Sequence, residues 1–298
     1  MSDFNAVIES LFRAASGLSL PLLHRLGSAL GWLTYAASPT YRRRMRAHVA
    51  QAGLEWAHAR GAVASTGRML AELPRLWCRP ADQALGDLVR WEGVEHLETA
   101  LSARRGLVML TPHLGCFEVI AQAYAERFGA RSPITALYRP ARQPWLRTLV
   151  AQSRDRPGLL TAPATLSGVR QMIRALRQGG TVGVLPDQVP PEGMGVWAPF
   201  FGREAYTMTL ASRLVQQTGA AWLLLRCERL PAGQGYVIHV SAPQQPMPPA
   251  DDPVGAATVV NQEMERLIRA CPHQYLWAYN RYKAPRAQPA AESGGEQP

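Results

Sequence analysis

Lysine is almost absent from this 298-residue chain: Lys283 is the only one, and arginine carries the rest of the positive charge behind a formal net charge of +10. Cysteine is scarce as well. Cys78, Cys116, Cys227 and Cys271 are widely scattered and form no C-x-x-C pair, so neither a zinc site nor a disulfide scaffold is indicated and a reducing compartment fits best. There is no glycine-rich phosphate loop, no internal repeat and no G-x-S-x-G elbow. Charged residues make up 18% of the chain against 47% hydrophobic, a low charge content that suits a surface partly in contact with lipid.

Arginine pairs bidentately with phosphate and carboxylate, which leaves anionic lipid, an acidic carrier protein or nucleic acid open as partners. Nucleic acid drops out, because no basic strip interleaved with aromatic residues and no known module is present. The arginine bias itself equally reflects genomic base composition, so the sign of the charge is the firmer guide.

Residues 18–37 are mostly apolar and about as long as a bilayer span of roughly 20 residues, with His24 and Arg25 interrupting the middle. A spanning helix and an interfacial one both stay open. Upstream, Phe4, Val7, Ile8, Leu11 and Phe12 recur at helical spacing and form a stripe for a membrane surface or a protein core. Arg42, Arg43, Arg44 and Arg46 follow, a cluster of the kind retained on the cytoplasmic side. Asp3 and Glu9 stand where a cleavable signal would be positive, so the segment is expected to stay in the mature protein.

This gives three regions: 1–45, a membrane-associated helical segment; 46–283, an α/β domain; and 284–298, a polar, disordered tail. Residues 49–103 read as helices broken by Gly61, Pro74 and Pro80, with Trp56, Leu70, Leu73 and Trp77 packing inward. A short apolar run at 106–111 then reads as a buried strand feeding a helix. Strand 134–138, helix 144–154, helix 166–178 and strand 181–185 continue the alternation. A loop at 186–205 precedes a helix at 206–218, two strands at 221–226 and 236–240 able to pair as a hairpin, and a helix at 254–270. The fold class is therefore α/β, a mixed central sheet flanked by helices, with a membrane-associated helix at the N-terminus.

The sharpest local signal is Thr111-Pro112-His113-Leu114-Gly115-Cys116-Phe117-Glu118, a histidine at a strand-to-helix junction with a carboxylate five residues on. Imidazole is the natural base near neutral pH for a hydroxyl proton, and a carboxylate can fix its tautomer and steady its charge. Residues five apart on one regular helix point about 140° away from each other, so the two meet only if His113 precedes the helix. Pro112 holds Thr111 extended and Gly115 relaxes the backbone, which makes that geometry accessible. Taken alone, His113 is as readily a helix cap or a core histidine. Cys116 lies inside the motif but points elsewhere on a helix, which leaves a thiol nucleophile as a minor alternative.

The segment His113 to Glu118 resembles the H-x-x-x-x-[DE] motif of the glycerolipid acyltransferase superfamily, in the setting of its lipid A late-acyltransferase branch. Leu137-Tyr138-Arg139-Pro140, Leu185-Pro186-Asp187-Gln188 and the glycine- and aromatic-rich stretch 195–209 match in order, as do Gln274 to Trp277 and Arg281 to Lys283. The likeness runs from about residue 10 to 285; Tyr279-Asn280 departs from it, where a more basic or histidine-containing stretch is expected.

The resemblance implies transfer of a fatty acyl chain from acyl carrier protein to a hydroxyl on a lipid A precursor, an anionic glycolipid. It places the reaction at the cytoplasmic face of the bacterial inner membrane, with no metal and no organic cofactor. His113 would act as base and Glu118 would orient the imidazole. Arg139 is the candidate for a phosphate of the lipid or carrier arm, with a structural ion pair as its other reading. Asp187 and Gln188, after a strand, are candidates for orienting the sugar or supporting Arg139. Arg170 is a weaker anion-site candidate that a solvated helix face explains as well. Met194, Val196, Trp197, Phe200 and Phe201 would line an acyl groove, dip into the bilayer or simply pack. Another glycolipid or a lysophospholipid as acceptor, and a non-catalytic membrane lipid-binding protein, are the competing functions.

Overall fold

The computed structural model describes residues 2–138 and 143–287. Helices α1 (Ser2–Ser16), α2 (Leu20–Ala37), α3 (Pro39–Gln51), α4 (Trp56–Ala59) and α5 (Ala62–Trp77) come first. There follow β1 (Val89–Glu92), α6 (Val94–Ser102), β2 (Leu107–Leu110), α7 (Phe117–Phe128), β3 (Ile134–Tyr138), α8 (Pro144–Arg154), β4 (Leu159–Pro163), α9 (Leu166–Arg177) and β5 (Thr181–Val184). The chain continues through β6 (Gly195–Phe200), β7 (Arg203–Met208), α10 (Leu210–Thr218), β8 (Ala221–Arg229), β9 (Tyr236–Ser241) and α11 (Pro253–Ala270).

Seven strands form one sheet in the order β1-β9-β8-β2-β5-β3-β4, parallel throughout except for the β8–β9 hairpin, while β6 and β7 make a separate antiparallel pair. All four residues of β2 are buried, as a central parallel strand covered on both faces requires. One face carries Leu107, Met109, Leu223 and Leu225 against α7 residues Val119, Ile120 and Tyr124. The other carries Val108, Leu110, Val182, Val184 and Leu224 against α9, α10 and α11 residues including Met172, Leu214 and Met264. The mixed α/β sheet is as expected.

The N-terminal helices pack on this body through α5. Gly27, Gly31 and Gly67 let α2 and α5 touch at the backbone: a Cβ on Gly27 would lie 2.6 Å from the Gly67 carbonyl oxygen. His24 does not face lipid, because it is buried in this seam with Nε2 3.1 Å from Glu72 Oε2. The opposite face of α2 exposes Leu22, Leu26, Leu30 and Leu33. Among the described residues no helix is long and apolar enough to cross a membrane. The α1 stripe divides: the Phe12 ring packs tilted against Trp77 and edge-on to Trp145, while Val7 and Leu11 stay exposed.

Behind the sheet's edge lies a fully buried ion cluster. Arg229 pairs with Glu72 through two nitrogens and also donates to Ser65 Oγ at 3.0 Å and to the Gly115 carbonyl at 3.1 Å. Tyr236 donates its hydroxyl to the same carboxylate at 3.1 Å. Burial opposes the charge on Glu72, yet Arg229 outweighs it and holds the carboxyl down at about 2.

Several sequence expectations need correction. The expected loop 186–205 contains β6, and β7 occupies residues assigned to the start of a helix, so α10 begins only at Leu210. Gly195, Pro199 and Gly202 had hidden the alternation. Phe201 and Gly202 both have positive φ, 49° and 72°, which makes their two-residue connection the primed turn that matches strand twist. Phe200 and Phe201 are core residues, whereas Met194 and Trp197 are exposed. Strand β1 was read as helix, and β4 was not anticipated. Leu70 is exposed rather than inward, and Pro74 sits within the last turn of α5, where it removes a single helical bond without ending the helix.

Candidate active site

The site grows from two neighbouring strand ends. Strands β2 and β5 are parallel partners, and Thr111 extends their ladder by donating to the Val184 carbonyl at 3.2 Å. Both chains then leave the sheet at its carboxyl edge, β2 through Pro112-His113 and β5 through Pro186-Asp187. In open α/β sheets that edge is where ligands bind. His113 lies before α7 begins, as its chemistry requires, and Gly115 takes a left-handed φ of 58° that turns the chain into the helix.

The turn is held from every side. Gly115 N–H donates to the Gln274 carbonyl at 3.0 Å, Cys116 N–H to the Cys227 carbonyl at 3.0 Å, and Leu276 N–H to the His113 carbonyl at 3.2 Å. Gln274 is itself fixed by a pair of bonds to the Arg229 backbone, 2.9 and 3.0 Å, and the Arg229 guanidinium reaches the Gly115 carbonyl. The C-terminal segment that matched the acyltransferase pattern thus works as a clamp on the histidine turn.

Asp187 is the carboxylate that holds His113. Its Oδ1 lies 2.7 Å from the imidazole Nδ1, and its Oδ2 accepts the His113 backbone N–H at 2.9 Å. Burial alone would raise the Asp187 carboxyl, but the charge and two hydrogen bonds of His113, with Arg281 beyond, bring it below the ordinary carboxylate value. An ionised carboxylate only accepts, so Nδ1 carries a proton, and in the neutral ring this tautomer leaves the lone pair on Nε2. The Tyr275 hydroxyl also meets Asp187, and burial beside that charge pushes the phenol well up, so it stays neutral.

The hydrogen bonds of the His113 ring and backbone N–H go to Asp187, not to Glu118, which the sequence had suggested as its partner. Glu118 is the second residue of α7 and accepts the Trp77 indole N–H at 3.3 Å. Glu118 lines an open cleft between α7, α8 and the sheet. Thr111 and Phe117 of the same motif line the cleft too, and the Phe117 ring packs edge-on to His113 with centroids 4.8 Å apart.

Of the other expected site residues, Gln188 is half-buried directly after Asp187. Arg170 is exposed on α9, on the face of the sheet away from the cleft, and is not brought to the site. Arg139 lies outside the described residues. Cys116 is fully buried and its thiol is pushed well up by burial and Glu72, which disfavours a thiolate nucleophile. Glu228, Cys271 and His273 bring three metal-type ligand atoms within 4.8 Å of one another, but Glu228 is already paired with Arg226 at 2.8 Å and the group shares no residue with the His113 pair. The Asp187 contact was missed because strand order is invisible in a single sequence. The available signal was that both residues follow a strand and a proline.

The family model described as bacterial lipid A biosynthesis acyltransferase matches residues 56–284. The chain is 28% identical to the lipid A biosynthesis lauroyltransferase of Escherichia coli strain K12 over 281 residues, 89% of this chain and 87% of that protein. It is 27% identical to the lipid A biosynthesis palmitoleoyltransferase of the same strain, covering 77% of this chain and 71% of that one. A lipid A biosynthesis acyltransferase of Haemophilus influenzae is 24% identical over 92% of this chain and 88% of its own length.

A carboxyl whose folded pKa is depressed stabilises the fold above its unfolded pKa and loses that contribution as pH falls through the folded value. Asp187→Asn should therefore cost most stability at neutral pH, and the gap to the parent should narrow as pH drops below the ordinary carboxylate range. Chemical unfolding across pH checks this; a gap that is flat or widens toward acid would contradict an ionised, partnered Asp187.

Proposed function

The chain belongs to the bacterial lipid A biosynthesis acyltransferases, and from that premise we propose that it moves a fatty acyl chain from acyl carrier protein to a hydroxyl of a lipid A precursor. The observation that carries the chemistry is the two-point contact of Asp187 on His113 beside an apolar cleft. His113 Nε2 takes the proton of the acceptor hydroxyl as its oxygen attacks the thioester carbonyl. The tetrahedral intermediate collapses with loss of the carrier thiolate, which receives the proton held by the imidazolium. Asp187 fixes the tautomer and steadies the cation, while Glu118 acts on the substrate side, where it lines the cleft. Direct transfer needs no acyl-enzyme, which accords with the inert, buried Cys116.

In this reading the reaction takes place at the cytoplasmic face of the bacterial inner membrane. Support comes from α2, whose exposed Leu22, Leu26, Leu30 and Leu33 form one apolar stripe, with Arg25, Arg43 and Arg46 exposed nearby in the chain. Such a stripe with basic residues suits a helix lying in the headgroup region rather than one crossing the bilayer.

With acyl-loaded carrier protein and a tetra-acylated lipid A precursor, the parent should yield a penta-acylated product by mass. His113→Ala and Asp187→Asn should each reduce kcat/KM by on the order of 10²–10⁴-fold with folding retained. Near-parental rates in both would refute the mechanism, and a lysophospholipid taken in preference to the precursor would refute the acceptor. Placement of α2 is read by co-sedimentation with anionic phosphatidylglycerol vesicles. Leu26→Glu with Leu30→Glu should release most of the bound protein, whereas unchanged binding would dismiss α2 as the contact.

A further inference from the structure

Gly183 stands in the middle of β5, a central strand flanked by β2 and β3, and nothing about the backbone there calls for glycine. Its φ is not in the left-handed region, and an added Cβ would meet only the Ile134 Cδ1 atom at 3.5 Å, an ordinary contact. This contrasts with Gly27, where the Gly67 backbone forbids any side chain. Glycine inside a strand weakens it, and in such positions it often marks the close approach of a ligand.

The register shows what Gly183 leaves open. Met109, Gly183 and Ala136 are side-by-side partners across β2, β5 and β3, so they share one face, and all three line the cleft. The strands are parallel, which gives the cleft a direction. Thr111, Glu118 and Leu185 lie at the carboxyl edge beside His113, while Ile134 and Leu159 lie at the opposite ends of β3 and β4. From the level of Leu185 to that of Ile134, which pairs with Thr181, is four residues or about 13 Å of depth at roughly 3.3 Å per residue. Gly183 sits halfway down. Arg154 also lines the cleft, its guanidinium 4.9 Å from the Tyr138 ring centroid and its Nη1 without a hydrogen-bond partner.

We propose that this cleft takes the fatty acyl chain, polar end toward Glu118 and His113, and that Gly183 sets the length of chain accepted. The inference rests on the acyl-transfer reading for its donor but not for the cleft's ability to hold a chain. Side chains larger than hydrogen at Gly183 fill the lower half of the groove, so long chains are excluded while short ones still reach the imidazole. Discrimination by a single methylene in an apolar pocket is worth on the order of 10–200-fold.

The test compares the parent with Gly183→Ala, Gly183→Leu and Ala136→Val on carrier protein loaded with octanoyl, decanoyl, lauroyl, myristoyl and palmitoyl chains. Binding of the matching free fatty acids is measured in parallel by calorimetry. A shift of the preferred chain toward shorter lengths, by about tenfold or more in relative kcat/KM for Gly183→Leu and less for Gly183→Ala, supports the proposal. An unchanged length profile, or an equal fall at every length in a folded protein, overturns it. Should Gly183→Leu fail to fold, Gly183→Ala and Ala136→Val decide by the same criterion. Length-dependent fatty acid binding that the variants shift, in a parent that transfers nothing from carrier protein, overturns the donor reading while the groove and its determinant stand.

Discussion

Asp187 grips His113 at two atoms, and the rest of the site depends on that contact. One oxygen fixes the ring and the other fixes the backbone from which the ring hangs, so the imidazole has neither a free torsion nor a free tautomer. A base presented in this way meets a hydroxyl with its lone pair already aimed, which lowers the reorganisation needed at the moment of transfer. The arrangement is simple to specify, because two parallel neighbours that each run into a proline just past the strand bring the two residues to one edge of the sheet.

The turn that carries His113 is secured from behind by groups far apart in sequence. Arg229 ties the Gly115 carbonyl to Glu72, and Glu72 in turn holds His24 of the helix with the exposed leucine stripe. A buried pair of this kind adds little net stability but is costly to leave half-made, which makes it a device for fixing geometry. The helix proposed to lie on lipid and the loop proposed to carry the chemistry therefore share one charged core. Seating the first relative to the body also seats the second.

Much of the architecture is legible in the sequence. The alternation around β2, β3 and β5 and the β8–β9 hairpin followed from apolar runs bounded by glycine and proline, and His113 before a helix followed from Pro112 and Gly115. What escaped depended on pairing. Glu118 is close to His113 in sequence, whereas strand order brings Asp187 close in space. His24 read as a flaw in an apolar helix because its partner, Glu72, lies 48 residues away. The β6–β7 hairpin was hidden by glycines and prolines, and its turn places Phe201 at positive φ, held by core packing that local propensity does not record. Gly183 gave no signal at all until the cleft beside it was seen.

The claim that His113 and Asp187 act as one unit is tested most directly by a double-mutant cycle on kcat/KM. Residues that work through a single imidazole are strongly non-additive. The account predicts that adding Asp187→Asn to His113→Ala changes the residual rate by no more than about threefold. Losses that multiply in the double variant would show that Asp187 serves the reaction by some route other than the histidine, and would contradict the account.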